Sequence, residues 1–341
     1  MNMRIGIMGF GRIGRNVFRL VRKEKGLSVG AIVDLAEPEA LAYLLRFDTV
    51  FGRFEDPFTI ENGAMQFAGE SIPMLTHKDP SEVDWKGLGI DIVVDCTHKY
   101  RTRKALEGHL ARGAKKVVLA SPPIDELDYL TVMGVNDAGL NANHALISNA
   151  SPTSNALALV LSVLNDSFGV ERGFVTAVHA YTNEQRLADV PHTELRRSRA
   201  AAENIIPSAT WAPMAIGKII PALAGKLDGI AMNVPVPDGS TLDLTTEMKG
   251  EISVEAVNAA MKAAAETRFK GIMEYTEQPI VSSDVIGNPH SVVFDSLSTQ
   301  LVGGNLLKTI SWYDNGWGYA CRVVELVKRL AALGVGTGGG K

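Results

Sequence analysis

The sequence predicts an α/β protein in which a doubly wound parallel sheet is followed by an α+β domain with a mainly antiparallel sheet. Apolar strand patterns alternate with amphipathic helix patterns from residue 4 to about residue 148, as in parallel sheets covered by helices on both faces. A glycine-rich turn lies between the first strand and the first helix. Beyond about residue 170, strand patterns follow one another with few helices between them, which favours antiparallel pairing.

The length of 341 residues is sufficient for two domains, each with its own core. We expect a first domain at residues 1–150 and a second domain, which carries the candidate catalytic residues, at residues 151–314. A helix at residues 315–333 is expected to pack back on the first domain. The glycine-rich tail at residues 334–341 has the composition of a disordered segment.

Composition argues against several classes of protein. A net charge of −4 gives no support to the binding of nucleic acid or another bulk polyanion. The two cysteines, Cys96 and Cys321, are far apart and lack metal-ligand spacing, so we expect neither a disulfide framework nor a metal site. No apolar run approaches the length of a membrane span, and the N-terminus lacks the anatomy of a signal peptide. The expected location is therefore the cytoplasm, with no membrane partner.

The first strand pattern, residues 4–9, leads into the motif Gly-Phe-Gly-Arg-Ile-Gly at residues 9–14. A helix pattern at residues 15–25 and an apolar strand at residues 29–33 follow, and Asp34 comes about 20 positions after the last glycine. Such glycines let the backbone approach a pyrophosphate at a helix N-terminus, and the acid accepts hydrogen bonds from a ribose diol but repels a 2′-phosphate. The motif therefore predicts a Rossmann-type site for NAD rather than NADP. The alternative is a tight strand-to-helix turn with an incidental acid.

Two further strand ends carry candidate cofactor contacts. Thr97 follows a buried strand pattern at residues 91–96, and Ser121 follows another at residues 116–120. Ligands of doubly wound sheets bind at the carboxyl ends of the strands, so we expect Thr97 and Ser121 to face the cofactor together with Asp34. The other elements predicted in this domain are a helix at residues 37–47, short antiparallel strands within residues 51–74 and a helix at residues 101–113.

Residues 148–155 (Ser-Asn-Ala-Ser-Pro-Thr-Ser-Asn) join an apolar strand pattern to a helical run. We expect Ser151 to be the N-cap and Pro152 the first helical residue, because the fixed φ of proline suits that position and its missing N–H costs little there. A helix N-terminus can hold an anion or activate a nucleophile. The plain alternative is a well-capped helix start with no further role.

The second domain begins with this helix, predicted at residues 151–168, and a strand at residues 174–179. An arginine-rich polar segment follows and leads into a helix near Ala212. The other elements predicted here are strands at residues 229–236, 241–248, 291–295 and 308–313 and a helix at residues 252–269.

Five stretches together resemble the glyceraldehyde-3-phosphate dehydrogenase family. They are Gly-Phe-Gly-Arg-Ile-Gly-Arg from residue 9, Ser-Asn-Ala-Ser from residue 148, His-Ala-Tyr-Thr-Asn from residue 179, Arg-Ala-Ala-Ala-Glu-Asn-Ile-Ile-Pro from residue 199 and Trp-Tyr-Asp-Asn from residue 312. The resemblance covers nearly the whole chain and implies a two-domain subunit, a homotetramer, a small-molecule substrate and NAD as cofactor. It assigns NAD contacts to Gly9, Gly11, Arg12, Ile13, Asp34, Thr97 and Ser121, with Asn315 on the nicotinamide amide.

The chain departs from the family at the catalytic centre. The family's nucleophilic cysteine lies between the serine and the threonine that are Ser151 and Thr153 here, and this chain has Pro152 instead. In the family the thiolate attacks an aldehyde, and the thiohemiacetal becomes a thioester after hydride transfer. Proline offers no nucleophile and no backbone N–H for the oxyanion. Loss of a covalent nucleophile can cost about 10⁶ in rate, and loss of an oxyanion donor can cost about 10²–10³.

The positions that bind phosphate in the family differ as well. Asn233 replaces the arginine for the substrate phosphate, and Trp211 and Met214 replace a glycine and a lysine near the inorganic-phosphate site. Trp211 is expected to fill space where an anion would sit. With Asn233, the predicted substrate-binding set consists of Ser151, Thr153, Thr182, Arg199 and Thr210.

Three further features bear on the cofactor. His98 replaces a glycine of the family and is expected to crowd the cofactor, and Gly316 replaces a glutamate. The arginine-rich segment near residues 186–206 corresponds to a family loop that packs against a neighbouring subunit's cofactor. Arg197 or Arg199 is therefore either a buried structural cation or a substrate ligand.

His179 keeps its family motif, in which it is the general base. Without a thiol, a histidine and NAD can still interconvert an alcohol and a carbonyl or help to oxidise a hydrated aldehyde. The sequence therefore predicts an NAD-dependent oxidoreductase of this family with altered chemistry or substrate. Two alternatives stay open. One is Ser151 as a replacement nucleophile, for which no activating base is evident. The other is a catalytically inactive homologue with a regulatory, NAD-sensing or assembly role.

Overall fold

The structure is a computed structural model that describes residues 3–334, so the predicted tail lies, apart from Gly334, outside the described residues. The chain divides into two compact units. The first comprises, among the described residues, 3–131, 139–150 and 320–334. The second comprises Val132–Ala138 and Ser151–Tyr319.

The first unit is built on a large, mostly parallel sheet. Its strands in chain order are β1 (Met3–Met8), β2 (Leu27–Asp34), β3 (Phe47–Asp48), β4 (Gly52–Arg53), β5 (Phe58–Glu61), β6 (Ala64–Phe67), β7 (Glu70–Thr76), β8 (Ile92–Asp95), β9 (Lys116–Leu119), β10 (Tyr129–Leu130) and β11 (Leu146–Ser148). Nine of them form one sheet in the order β10-β11-β9-β8-β1-β2-β7-β6-β5, and β3 pairs only with β4. The pairs from β10 to β7 are parallel, whereas β5, β6 and β7 are antiparallel neighbours. The predicted doubly wound parallel sheet is therefore confirmed.

Three helices connect these strands: α1 (Arg12–Val21), α2 (Pro38–Arg46) and α3 (Arg103–Ala111). The strands that follow β1 lie on both sides of it, with β2 on one side and β8 on the other. The carboxyl ends of β1 and β8 consequently flank the switch point at which doubly wound sheets bind ligands. The prediction of a first helix at residues 15–25 is wrong in its bounds, because the helix starts directly after the N-cap residue Gly11.

The core of the first unit lies between the sheet and its helices. Helix α1 buries Val17 and Phe18, and the ring of Phe18 meets the edge of Phe10 at a centroid distance of 5.8 Å. On the strand side, Gly6 leaves room for the indole of Trp85, because a Cβ at residue 6 would lie only 2.5 Å from an indole carbon. Trp85 is fully buried and becomes relevant below.

The second unit contains a seven-stranded sheet. Its strands are β12 (Val170–Ala180), β13 (Ile206–Ser208), β14 (Leu227–Val234), β15 (Ser240–Met248), β16 (Met273–Thr276), β17 (Val292–Val302) and β18 (Leu306–Tyr313). In the order β13-β14-β12-β15-β18-β17-β16, only the pairs β12–β14 and β16–β17 are parallel. The predicted mainly antiparallel sheet is confirmed. Strands β13 and β16 were not anticipated, and β17 extends well beyond the predicted residues 291–295.

One face of this sheet is covered by a buried helix. The helices are α4 (Pro152–Phe168), α5 (Ala212–Ile219), α6 (Val254–Glu266) and α7 (Trp317–Ala332), and the residues of α7 from Ala320 on belong to the first unit. Helix α4 is buried continuously from Thr153 to Leu164 and packs on β12, β15, β17 and β18. Along β15, buried and half-buried residues alternate strictly, as expected for a strand with one covered face.

No helix within residues 3–334 is long and apolar enough to cross a membrane. No group of three or more His, Cys, Asp or Glu side chains in the same range is placed to hold a metal ion. Cys96 is buried and Cys321 is half-buried, and neither forms a disulfide within the described chain.

Candidate active site

The glycine motif forms the turn between β1 and α1. Gly9 has a φ of +89°, and a Cβ there would lie 2.8 Å from the backbone nitrogen of Thr97. A Cβ on Gly14 would lie 2.1 Å from the carbonyl oxygen of Gly9, so the helix can approach the strand only with glycine at this position. By contrast, a Cβ on Gly11 would meet no described atom within 4 Å. The first and last glycines thus serve packing, whereas Gly11 borders open space at a helix N-terminus, which fits a pyrophosphate.

Asp34 closes this turn from the end of β2. Its Oδ2 accepts a hydrogen bond from the backbone N–H of Phe10 at 2.6 Å. Its Oδ1 accepts from the N–H groups of Leu35 at 2.7 Å and Ala36 at 3.1 Å. Each carboxylate oxygen can accept about two hydrogen bonds, so Oδ2 retains capacity for a ribose hydroxyl. The side chain therefore fits the predicted role and also orders the glycine turn.

Thr97 and Ser121 follow β8 and β9 at the same edge of the sheet. The hydroxyl of Thr97 donates to Oδ1 of Asp95 at 2.6 Å. The hydroxyl of Ser121 is buried and bonds to no atom of the described chain, so it is a candidate for a ligand contact. His98 has a φ of +57°, in the left-handed region that favours glycine, and its side chain is exposed. Arg12 and Ile13 form the first turn of α1 and are both half-buried.

In the second unit, the start of α4 has the expected cap. Ser151 has extended backbone, and its hydroxyl accepts from the N–H of Ser154 at 3.0 Å. Pro152 is the first residue of the helix. The hydroxyl of Thr153 lies 2.8 Å from the hydroxyl of Tyr313, which ends β18. Pro152 therefore lies in a regular, half-buried helix start, and Tyr313 is a site residue that the sequence did not reveal.

His179 lies near the end of β12 and is half-buried. Its Nδ1 is 2.6 Å from the carbonyl oxygen of Ala180, which can only accept, so Nδ1 carries the proton in the neutral ring. The proton-accepting nitrogen is then Nε2. The imidazole also meets the ring of Tyr313 edge-on, with 6.1 Å between the centroids.

A chain of hydrogen bonds runs behind the histidine. The backbone N–H of Ala180 donates to the hydroxyl of Ser240 at 3.0 Å, and that hydroxyl donates to Oδ1 of Asn315 at 2.9 Å. Burial raises the pKa of Tyr313 far above its usual range, despite its hydrogen bonds to Thr153 and Ser240. Tyr313 therefore stays a neutral phenol. These contacts fix the side-chain oxygen of Asn315 as an acceptor.

The register of the parallel pair β12–β14 sets His179 beside Asn233. Asn233 is buried, and its amide donates to the hydroxyl of Ser208 on β13 at 2.8 Å. Thr210 follows two residues later, and its hydroxyl accepts from the N–H of Ala212 at the start of α5. Asn233 is thus a neutral amide that is already paired within the protein.

Two arginines of the arginine-rich segment are paired with carboxylates. Arg197 contacts carboxylates of Glu184 at 3.0 Å and Glu194 at 3.1 Å, and its side chain is 17% exposed. Arg199 pairs with Asp189 at 2.9 Å, and its side chain is 60% exposed. Arg197 therefore has the geometry of a structural cation, whereas Arg199 is accessible.

Three further predicted residues occupy the rim of this region. Thr182 is half-buried, and its hydroxyl donates to the amide oxygen of Gln185 at 3.2 Å. Trp211 is the N-cap residue of α5 and is half-buried. Met214, in the first turn of the same helix, is 61% exposed. Trp211 and Met214 thus place apolar groups at the start of α5.

Two buried aspartates lie behind Ser240 and Asn315. Asp314 accepts backbone N–H groups from Gly287 at 2.7 Å and Gly316 at 2.7 Å. Burial and the nearby charge of Asp238 raise the pKa of Asp314 to about 7. Sequence reasoning missed this pair, because the two acids are far apart in the chain and Asp238 belongs to no recognised motif.

Comparisons with known proteins agree with these features. Residues 3–103 match the description "Glyceraldehyde 3-phosphate dehydrogenase, NAD binding domain", and residues 151–315 match its C-terminal domain. The chain is 47% identical over 336 residues to a glyceraldehyde-3-phosphate dehydrogenase of Priestia megaterium, a match that covers 98% of this chain and 100% of the relative. A protein of the same name from Geobacillus stearothermophilus is 45% identical with the same coverage. One from Mycobacterium avium is 47% identical over 96% of this chain and 98% of the relative. The predicted cofactor, NAD, is confirmed by the first of these matches.

Proposed function

Because the chain belongs to the glyceraldehyde-3-phosphate dehydrogenase family and carries its NAD-binding domain, we propose that it interconverts an alcohol and a carbonyl on a phosphate-free small molecule. The proposal rests on one combination of residues, His179 with Pro152. The histidine is ordered as a base, whereas the nucleophile position holds a residue that cannot attack a carbonyl.

The proton transfer in this proposal belongs to His179. With Nδ1 donating to Ala180, Nε2 takes the proton from a substrate hydroxyl during oxidation and returns it during reduction. NAD, when bound, supplies the nicotinamide ring that accepts or donates the hydride. The ring of Tyr313 restricts the imidazole from one side.

The absence of phosphate from the substrate is inferred from charge. Asn233 is neutral and already bonded to Ser208, and Met214 carries no charge. Arg197 is bonded to two carboxylates, so it offers little charge to an anion. A phosphorylated substrate would lose charge-assisted hydrogen bonds worth about 1.5–3 kcal/mol each. An uncharged alcohol or aldehyde loses nothing at these positions.

A second candidate is a catalytically inactive homologue that binds NAD as a sensor or assembly partner. The specific observation in its favour is the complete cap of α4, in which Ser151 and Pro152 have full structural roles and no nucleophile is presented. This candidate needs the glycine motif and Asp34 but does not need His179.

The assembly and location are proposed from the family alone. We propose a homotetramer in the cytoplasm, with Asn315 on the nicotinamide amide. We also retain the proposed domain boundaries at residues 1–150 and 151–314, with residues 315–333 returning to the first domain. Light scattering on the purified chain tests the oligomer, and a mass about four times that of one chain is expected.

The deciding experiment measures NAD⁺ binding by calorimetry and turnover with a panel of phosphate-free alcohols and aldehydes. His179→Asn should lower turnover by about 10²–10⁴ while NAD⁺ still binds, since general base catalysis contributes that much. His77→Asn, which changes a half-exposed histidine of the first unit, is the matched control and should be without effect.

Each result supports one of the two proposed functions or refutes part of the argument for them. Turnover that depends on His179 supports the oxidoreductase. NAD⁺ binding without turnover supports the inactive homologue. Protein that is folded but binds no NAD⁺ would refute both. Efficient phosphorylating oxidation of glyceraldehyde 3-phosphate would refute the argument from Pro152.

A further inference from the structure

Four side chains of the first unit form a hydrogen-bonded chain from the core to the glycine turn. The indole N–H of Trp85 donates to Nδ1 of His109 at 3.0 Å. Nε2 of His109 lies 3.3 Å from Oδ2 of Asp95. Oδ1 of Asp95 accepts both the hydroxyl of Thr97, at 2.6 Å, and its backbone N–H, at 2.9 Å. Trp85, His109 and Asp95 are completely inaccessible to solvent.

The four hydrogen-bonded side chains can place their protons in only one arrangement. An indole nitrogen can only donate, so Nδ1 of His109 must be the acceptor and Nε2 must carry the proton. That proton points at Asp95, whose carboxylate accepts on both oxygens. The hydroxyl proton of Thr97 is therefore committed to Asp95. Because a buried donor without a partner costs about 1–3 kcal/mol, departures from this arrangement are disfavoured.

This series of hydrogen bonds ends at the predicted cofactor site. Asp95 is the last residue of β8, and Thr97 is half-buried against Gly9 of the glycine turn. The hydroxyl oxygen of Thr97 accepts the N–H of Lys99 at 3.2 Å, which uses one of its two lone pairs. With its proton held inward, the second lone pair can only accept.

We propose that His109 and Asp95 are positioning residues for the cofactor, which hold the Thr97 hydroxyl as an acceptor for a hydroxyl or amino group of NAD. The inference concerns cofactor binding alone, so it holds whether or not the protein turns over a substrate. It assigns a role to two buried side chains, His109 and Asp95, that the glycine motif does not include.

The first test changes Thr97, the last side chain of the hydrogen-bonded series. Thr97→Val keeps the shape but removes the hydroxyl and should weaken NAD⁺ binding about three- to tenfold in calorimetry. Thr97→Ser keeps the hydroxyl and should bind within about twofold of the unmodified protein. Equal affinity of the Val variant and the unmodified protein would overturn the proposal.

The second test separates positioning from general structural support. Asp95→Asn brings an amide N–H against either the Nε2–H of His109 or the N–H of Thr97, so it should weaken NAD⁺ binding by a similar factor. In a Thr97→Val background the same change should alter the affinity by less than about twofold. An equal loss in both backgrounds would show that Asp95 acts on folding and not through Thr97.

The third test needs no variant and applies even if Asp95→Asn does not fold. A two-bond ¹H–¹⁵N correlation spectrum of the unmodified protein reports which ring nitrogen of His109 is protonated. We expect the Nε2–H tautomer. A proton on Nδ1 would contradict the direction of the chain and overturn the proposal.

Discussion

Replacing Asp238 by asparagine should make the protein less sensitive to alkaline pH. Asp238 and Asp314 are both buried, and the turn that carries Asp238 packs tightly, since a Cβ on Gly239 would lie 1.9 Å from the carbonyl oxygen of Ser282. Burial first and the charge of Asp238 second raise the pKa of Asp314 to about 7, while backbone N–H groups lower it in part. Both carboxylates are therefore ionised only when the pH exceeds about 7.

The sign and size of the effect follow from linkage. The pKa of Asp314 is higher in the folded chain than its ordinary value of about 3.9, so the stability it contributes is complete below about pH 4 and is lost as the pH rises to about 7. At about 1.4 kcal/mol per unit, the loss amounts to about 4 kcal/mol. Asp238→Asn removes the charge but not the burial, so we expect it to restore about 1–2 kcal/mol at about pH 8 and much less at about pH 5.

Urea unfolding at both pH values measures this difference. Asp228→Asn is the matched control, because Oδ1 of each aspartate accepts the N–H of the following glycine at 2.8 Å, whereas Asp228 is exposed. The control should change the unfolding free energy equally at both pH values. If Asp238→Asn also shifts stability equally at about pH 5 and about pH 8, the reasoning from the buried pair is wrong.

Three other predictions concern the start of α4, the glycine turn and Asp34. Pro152→Cys should give a thiol that iodoacetamide alkylates severalfold faster than a free cysteine, because a helix N-terminus lowers the thiol pKa. Pro213→Cys, at the start of α5, is the comparison. An alkylation rate no faster than that of the urea-unfolded Pro152→Cys variant would count against this prediction. Gly14→Ala should lower the unfolding temperature, whereas Gly11→Ala should leave that temperature unchanged and weaken NAD⁺ binding. Thermal melts with and without NAD⁺ measure both effects. A lower unfolding temperature for Gly11→Ala and weaker NAD⁺ binding for Gly14→Ala would contradict the assigned roles of the two glycines. Asp34→Asn should lower the ratio of the affinity for NAD⁺ to the affinity for NADP⁺ by about tenfold in calorimetry. An unchanged affinity ratio would exclude the assigned role of Asp34.

Features that depend on neighbouring residues could be predicted from the sequence. The glycine turn and the cap of α4 lie within the patterns that predict them, and Asp34 lies about 20 positions after the last glycine of its motif. Local backbone chemistry decides these features. Serine before proline at a helix start has few other uses, and the structure has Ser151 and Pro152 in those places.

Features that depend on distant partners could not be predicted. Tyr313 bonds to Thr153 across 160 positions, and Ser240 bonds to Asn315 across 75. Strand β13 was missed because its three residues contain a proline, which argues against a central strand. It survives at the edge of the sheet, beside β14 only. Register and pairing are global properties, so the single sequence carries no direct signal for them.

The polar contacts of the second unit do not themselves show that the site is used. Thr153, Ser240 and Asn233 are buried and paired, and any change that left a partner unpaired would cost about 1–3 kcal/mol. Stability alone therefore explains why these hydrogen-bonded pairs are present in a protein that has Pro152. His179 differs, because it is only half-buried and a smaller polar residue would cost the fold little. Replacement of His179 therefore separates a working oxidoreductase from a folded NAD-binding homologue.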